Sequence, residues 1–285
     1  MIFTLNVGNE YISMAAFPGR KEGNKDGRSV PVFTAETATD IKKTGLDYIL
    51  TFKNIFELNG LRSCEVEGSI IASVVPGLTS VIKNAVEDFT KAPCKTAGPG
   101  LKTGLQILMD NPAMIGTDLI SNAVGAVNLY DTPAVVADFG TATVFSVINE
   151  KKQYTGSIIC PGMGPSLRAL SESASRLYDI SLESPKELIG TNTEEAMQSG
   201  IIYGTAALCE GIIRRIYEKQ AISTVIMTGV HAGKIMRFFD INAVTKACPP
   251  SAESRPYGSI KTEYDENLKL KGLKLIYEKN TKAVL

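Results

Sequence analysis

The chain has 285 residues, room for about two domains of ordinary size. Its 30 Lys and Arg balance its 30 Asp and Glu; 44% hydrophobic and 21% charged residues fit a soluble globular protein, with no basic stripe for nucleic acid and no membrane-length apolar run. One histidine and five scattered cysteines without a CxxC leave little material for a zinc site, a Ser-His-Asp triad or a disulfide framework, so acid–base work falls to carboxylates.

Residues 2–16 read as an apolar strand, a tight turn and a second strand, with Asn6, Val7, Gly8 and Asn9 at the turn. No basic segment opens the chain, and Asn6, Asn9 and Glu10 interrupt any apolar leader; with reduced thiols this points to a cytoplasmic protein. Gly19 to Asp26 reads as a polar turn and residues 29–34 as a short strand. Residues 38–59 form an expected amphipathic helix through Ile41, Leu46, Ile49, Leu50, Ile55 and Phe56. Ile70 to Val75 is a strand ended by Ser73-Val74-Val75-Pro76, and a helix over 77–90 follows, with Pro76 suited to its first turn. This alternation predicts an α/β fold with crossover helices.

Gly98-Pro99-Gly100-Leu101-Lys102-Thr103-Gly104-Leu105 is a shaped loop whose only charge is Lys102; it reads either as a solvated linker or as a ligand loop. Asp118 stands at the start of an expected helix over 118–129, where it can cap free amides or face a cleft as a general base. Asp131-Thr132-Pro133 marks the expected junction between domains 1–131 and 132–285. Ala134 to Ala137 is an apolar strand buried on both faces, Asp138 sits at its end, and Val144 to Ile148 continues as a second strand. Gly140 lets the backbone turn, and Thr141 and Thr143 supply hydroxyls two residues apart on one face. Such a turn can hold nucleotide phosphates and their cation; it can equally be an Asx-turn in which Asp138 caps its own backbone. The order Asx, bulky apolar, Gly, polar occurs both here and at Asn6, a weak internal repeat that suggests a duplicated domain with two phosphate-facing hairpins.

Tyr154 to Pro165 is a strand that breaks into a Gly-Pro loop, followed by an expected helix over 166–177. Thr193 is the expected cap of a long helix, with Glu194 and Glu195 suiting its N-terminal dipole. Gly200, Gly204 and Gly211 along that helix serve either core packing or close approach of a second subunit. Val225 to Val230 is a strand ending at Gly229, where an adenine ring could lie. Residues 247–262 read as a loop insertion, and Asn267 to Asn280 as a closing strand and helix.

The two turns resemble those of the actin-like ATPase superfamily. The ordered set of Ser73 to Pro76, Gly98 to Gly104, Asp138 to Thr143, Cys160-Pro161-Gly162, Gly190 with Asn192-Thr193, and Leu268 to Asn280 resembles the type III pantothenate kinases over nearly the whole chain. The resemblance implies two duplicated actin-like ATPase (ribonuclease H-like) α/β domains with a nucleotide cleft between them. It implies ATP-dependent phosphorylation of pantothenate on the way to coenzyme A, by a homodimer that uses Mg²⁺ and a monovalent cation, K⁺ or NH₄⁺. Under it Asp118 is the general base and Asp138 the metal residue. Asn6, Gly8, Asn9, Gly140, Thr141, Thr143 and Gly229 hold the nucleotide, and Gly116, Lys102 and Thr193 the substrate. Four positions depart from the family pattern: Asn6 stands where it has Asp, Leu119 where it has Arg, Val230 where it has Gly, and Glu10 where it has a small polar residue. These departures leave two alternatives, a weak or inactive nucleotide-binding paralogue with a regulatory role and a kinase for a different hydroxylated substrate.

Overall fold

The computed structural model describes residues 1–19, 30–174, 177–246 and 259–281. Most of the expected turn from Gly19 to Asp26, most of the expected insertion at 247–262, and Cys248 lie outside these residues. The chain divides into two compact units, one formed by Met1–Leu105, Asp110–Leu129 and Leu268–Leu285, the other by Gln106–Met109 and Tyr130–Asn267.

The first unit is built on a five-stranded sheet of β1 (Ile2–Val7), β2 (Tyr11–Phe17), β3 (Phe33–Ala38), β4 (Gly68–Ser73) and β5 (Cys94–Thr96), in the order β3-β2-β1-β4-β5. β1, β2 and β3 form an antiparallel meander, while β4 and β5 run parallel to β1. The period of two along β1 sends Phe3, Leu5 and Val7 to one face, where they pack with Phe52, Phe56, Leu78 and Ile82 of α1 (Gly45–Leu58) and α2 (Pro76–Thr90). Ile2, Ile70 and Ala72 face the other way and pack with Val124 of α3 (Thr117–Leu129) and with Leu273 and Ile276 of α8 (Leu268–Lys279). α3 and α8 touch backbone to backbone: Gly272 lies against the Ser121 carbonyl, where a Cβ would overlap it.

The helix expected over 38–59 is shorter than the sequence pattern suggests. Thr44 and Asp47 form a reciprocal capping box that fixes the start of α1 at Gly45, and residues 33–38 join the sheet as β3, displacing the strand expected at 29–34. The buried stripe is aromatic: Tyr48, Phe52 and Phe56 recur at intervals of four, while Ile41, Leu46 and Leu50 are exposed.

The second unit holds β6 (Gln106–Ile107), β7 (Ala134–Phe139), β8 (Ala142–Ile148), β9 (Gln153–Pro161), β10 (Thr224–Thr228) and β11 (Lys261–Tyr264), in the order β11-β10-β7-β8-β9-β6. Its core includes Val135, Ala137, Phe139 and Val225 from the sheet, with side chains of α4 (Met163–Ser173), α5 (Thr193–Lys219), α6 (Ala232–Met236) and α7 (Ile241–Lys246). The run β9-β8-β7-β10-β11 repeats β3-β2-β1-β4-β5 strand for strand, with the same antiparallel meander and the same parallel partners. The repeated Asx-apolar-Gly turn therefore belongs to a repeated fold.

Four other details differ from the sequence reading. The α5 cap is Asn192, whose side chain accepts from the Glu195 N–H at 2.9 Å; Thr193 is the first helical residue. α4 begins at Met163 and ends at Ser173, and residues 175–176 of the helix expected over 166–177 are outside the described set. The closing strand precedes Asn267, as β11. α8 lies in the first unit, although the expected division at 131/132 assigned it to the second domain, because Leu270, Leu273, Ile276 and Tyr277 complete the first unit's core.

Candidate functional site

The repeat gives Asn6 and Asp138 the same address. Each is the penultimate residue of its unit's central strand: Asn6 stands opposite Ser13 and Ala72, and Asp138 opposite Val144 and Thr228. Both are nearly buried, at 8% and 5% exposure. An Asx side chain at this depth is placed by the ends of three strands, so its oxygen has little conformational freedom.

The turns that follow are closed by their glycines. The Gly8 N–H donates to the Tyr11 carbonyl at 2.9 Å, and the Gly140 N–H to the Ala142 carbonyl at 3.1 Å. These amide hydrogen bonds fix the shape of the two turns. Asn9 and Thr141 are exposed at the tips, whereas Thr143 is 1% exposed. The two hydroxyls thus differ in setting: Thr141 stands at the tip, and Thr143 lies inside the strand pair opposite Cys160.

Each turn is braced by the next parallel strand. In the first unit the Val74 N–H donates to the Val7 carbonyl at 3.0 Å, and Ser73 Oγ accepts from Val75 N–H and Thr79 Oγ1 at 3.2 and 2.9 Å. In the second unit the His231 N–H donates to the Phe139 carbonyl at 3.2 Å. Gly229 has φ +95°, and a Cβ there would stand 2.5 Å from Asp138 Oδ1 and 2.7 Å from the Phe139 carbonyl oxygen. Glycine is needed both for the backbone and for the approach to Asp138. Val230 has no such demand: positive φ among non-glycine described residues is confined to Lys91 and Lys152, so its β-branch is accommodated.

Gly162 supports the second turn from behind. Its N–H donates to the Thr141 carbonyl at 3.2 Å, and a Cβ on it would overlap the carbonyl oxygens of Gly140 and Thr141. Sequence reading gave no role to Gly162 or His231. The only signal was the glycine in Cys160-Pro161-Gly162, whose contact lies some twenty residues away along the chain.

At the start of α3, Gly116 and Asp118 act together. The Gly116 carbonyl accepts from the Ile120 N–H at 3.2 Å, and the Asp118 carboxylate folds back over the Gly116 Cα so closely that a Cβ would overlap Oδ1. Asp118 is half-buried and makes no hydrogen bond or ion pair among the described residues. It therefore makes no capping hydrogen bond, although its place in the first turn of α3 suits the helix dipole. Leu119 follows it, also half-buried.

Lys102 is exposed on its glycine loop, where Gly98, Gly100 and Gly104 take φ of +156°, +95° and +73°. No hydrogen bond joins Lys102 to Gly116 or Asp118 among the described residues. Thr193 is exposed at the start of α5. Gly190 packs there against the Ala196 amide, where a Cβ would overlap it.

Among the described residues no group of three or more His, Cys, Asp or Glu could hold a metal ion, and no helix is long and apolar enough to cross a membrane. A single buried carboxylate suits an ion held mainly by phosphate and water oxygens, as Mg²⁺ is at nucleotide sites. Burial pushes the Cys94 thiol up to about 12 and raises Cys209 as well, so neither is a thiolate nucleophile at neutral pH.

Comparison with known proteins matches residues 2–215 to a family model described as type III pantothenate kinase. A type III pantothenate kinase of Halalkalibacterium halodurans is 40% identical over 244 residues, covering 85% of this chain and 89% of the relative. One of Bacillus cytotoxicus is 36% identical over 281 residues, covering 98% and 97%. Among solved structures, a Baf family transcriptional activator from Campylobacter jejuni aligns with a TM-score of 0.54 at 18% identity, over 98% of each chain. An activator of 2-hydroxyisocaproyl-CoA dehydratase from Clostridium difficile with bound ADPNP aligns with a TM-score of 0.54 at 10% identity, over 100% and 99%. At these identities the two structures speak to the fold alone, which is the two-domain actin-like ATPase architecture.

Proposed function

The chain belongs to the type III pantothenate kinase family, and we propose that it transfers the γ-phosphoryl group of ATP to the hydroxyl of pantothenate. The observation that carries this reading is Asp118: a half-buried carboxylate at a helix start, folded over a glycine and committed to no partner among the described residues. In the proposed step Asp118 accepts the proton of the substrate hydroxyl as its oxygen bonds to the γ-phosphorus. The bond from that phosphorus to the β–γ bridging oxygen breaks, and ADP leaves. Phosphoryl transfer needs positioning and charge neutralisation rather than a covalent enzyme intermediate, which suits a chain with few nucleophiles.

The turn residues Asn6, Gly8, Asn9, Gly140 and Thr141 contribute to the phosphate site, and Gly229 to the adenosine end. Gly116, Lys102 and Thr193 contribute to the pantothenate site. Asp138 supplies the carboxylate for the cation. Mg²⁺ bound there with ATP screens the phosphate charge, and K⁺ or NH₄⁺ completes the set as the monovalent ion. All oxygen donors suit such hard cations. The enzyme acts in the cytoplasm, where ATP and reduced thiols are found.

The test is ADP release in a coupled assay, with and without pantothenate, in K⁺ and then in Na⁺. Release that requires pantothenate and is faster in K⁺ is expected; release indifferent to pantothenate overturns the substrate, and no release favours the non-catalytic paralogue. The specific feature behind that second reading is Asn6, an amide at the position where the other unit carries Asp138.

We further propose a homodimer. Gly200 and Gly204 on α5 are exposed, and a Cβ at either would meet no atom within 4 Å, so the chain's own packing does not call for glycine there. Close approach of a second copy gives these glycines a use, with exposed Leu208 one turn on. Light scattering at micromolar concentration is expected to give twice the chain mass, and a monomer mass would end this proposal.

A further inference from the structure

Two motifs 178 residues apart meet at one side chain. Asn280, just past the end of α8, accepts from the Lys102 N–H through Oδ1 at 2.8 Å and donates to the Lys102 carbonyl through Nδ2, also at 2.8 Å. The same Nδ2 donates to the Ile276 carbonyl at 2.8 Å, which locks the amide to the helix. An Asn side chain has one acceptor oxygen and two donor hydrogens, and here all are engaged. Gripping the N–H and the C=O of one residue fixes both peptide planes around it.

The neighbours reinforce the grip. The Lys279 side chain lies across Gly104, where a Cβ would overlap it. Leu101 and Leu105, on either side, pack into the cluster that holds Leu273, Ile276 and Tyr277 of α8. The loop is therefore docked at positions 101, 102, 104 and 105, although three glycines with positive φ would otherwise leave it loose. What this docking leaves outside is the Lys102 ammonium, exposed and without a hydrogen bond or ion pair among the described residues. A solvated linker has no use for a fixed peptide beneath its one charge.

We propose that Asn280 is a positioning residue, which holds the Lys102 backbone so that the ammonium meets an anionic group of a bound substrate. The anion is a carboxylate of the phosphoryl acceptor or a phosphate of the nucleotide. This rests on the assignment of Lys102 to the substrate site made above.

The test combines Asn280→Ala, Lys102→Ala and the double variant, with dissociation constants for pantothenate and for ATP measured by calorimetry. Amide hydrogen exchange is followed over residues 98–105. Loss of a contact to a charged group costs about tenfold in affinity, and Asn280→Ala is expected to cost a similar amount for one of the two ligands. It is expected to add nothing in the Lys102→Ala background, because its effect passes through that lysine. Exchange at the loop is expected to accelerate in Asn280→Ala and to stay slow in Lys102→Ala. A loss confined to pantothenate assigns the carboxylate, and one confined to ATP assigns the phosphate. Additive losses, unchanged loop exchange, or a wild type that binds neither anion overturns the proposal. Binding without turnover would instead count against the kinase reading and leave this one standing.

Discussion

Replacing Asp118 by Asn is expected to lower kcat by about two to four decades, the range for a lost general base. The affinity for ATP is expected to stay within about twofold, since in the proposed step the carboxylate acts on the other substrate. The structure makes this substitution clean. Asp118 makes no hydrogen bond among the described residues, so exchanging one carboxylate oxygen for an amide nitrogen breaks no native contact and needs no extra volume. Unfolding midpoints of the two proteins are therefore expected to agree. Gly116→Ala provides the complementary case: its Cβ would displace the Asp118 carboxylate without removing it, and kcat is expected to fall by a smaller factor. An Asp118→Asn enzyme with near-normal kcat would remove the general base from this position.

The second large effect concerns Asn6 and Leu119. Asn6 occupies the register of Asp138 but carries no charge. Asn6→Asp is expected to strengthen Mg²⁺–ATP binding, because an anion holds a hydrated divalent ion better than an amide does. Without Mg²⁺ the same substitution is expected to lower stability, because it leaves an unneutralised charge at a position 8% exposed. Leu119→Arg places a cation beside Asp118, the proposed base, as in the family pattern. A charge-assisted contact to the pantothenate carboxylate is worth about 1.5–3 kcal/mol, about tenfold or more in affinity. The double variant is expected to exceed both single variants in initial rate at fixed Mg²⁺ and ATP, since each change serves a different ligand. A wild type already turning over at an ordinary kinase rate of about 1–100 s⁻¹ would make both departures neutral. A double variant no faster than wild type would move the defect elsewhere, with Glu10 the next position to alter.

The two central hairpins, β1–β2 and β7–β8, were legible because their signal is local. Ala134 to Ala137 reads as buried on both faces, and all of β7 is buried. The likeness between the Asn6 and Asp138 turns needed only four residues on each side, and the strand order extends it to two whole sheets. α1 was less legible: Ile41, Leu46 and Leu50 are apolar enough to suggest a buried face, but the aromatic stripe of Tyr48, Phe52 and Phe56 buries more area and takes the core. The cap of α5 was displaced by one residue because Asn192 and Thr193 are both competent, and only backbone geometry separates them. Of the site, Asp118 and Asp138 could be picked out as carboxylates at element ends. The supporting contacts could not: Gly162 behind Thr141, the approach of Gly229 to Asp138, and Asn280 beneath Lys102 join residues far apart in the chain, and a glycine or an amide in sequence does not announce its partner.

The return of α8 to the first unit bears on the order of events during synthesis. The first unit's core lacks Leu270, Leu273, Ile276 and Tyr277 until α8 has left the ribosome, although Ile2 and Ile70, which they cover, emerge early. The second unit, from Tyr130 to Asn267 with one short strand from 106–109, is complete before that. Translation therefore supplies the residues of the later unit before the earlier one can cover the apolar face at Ile2 and Ile70 with α8.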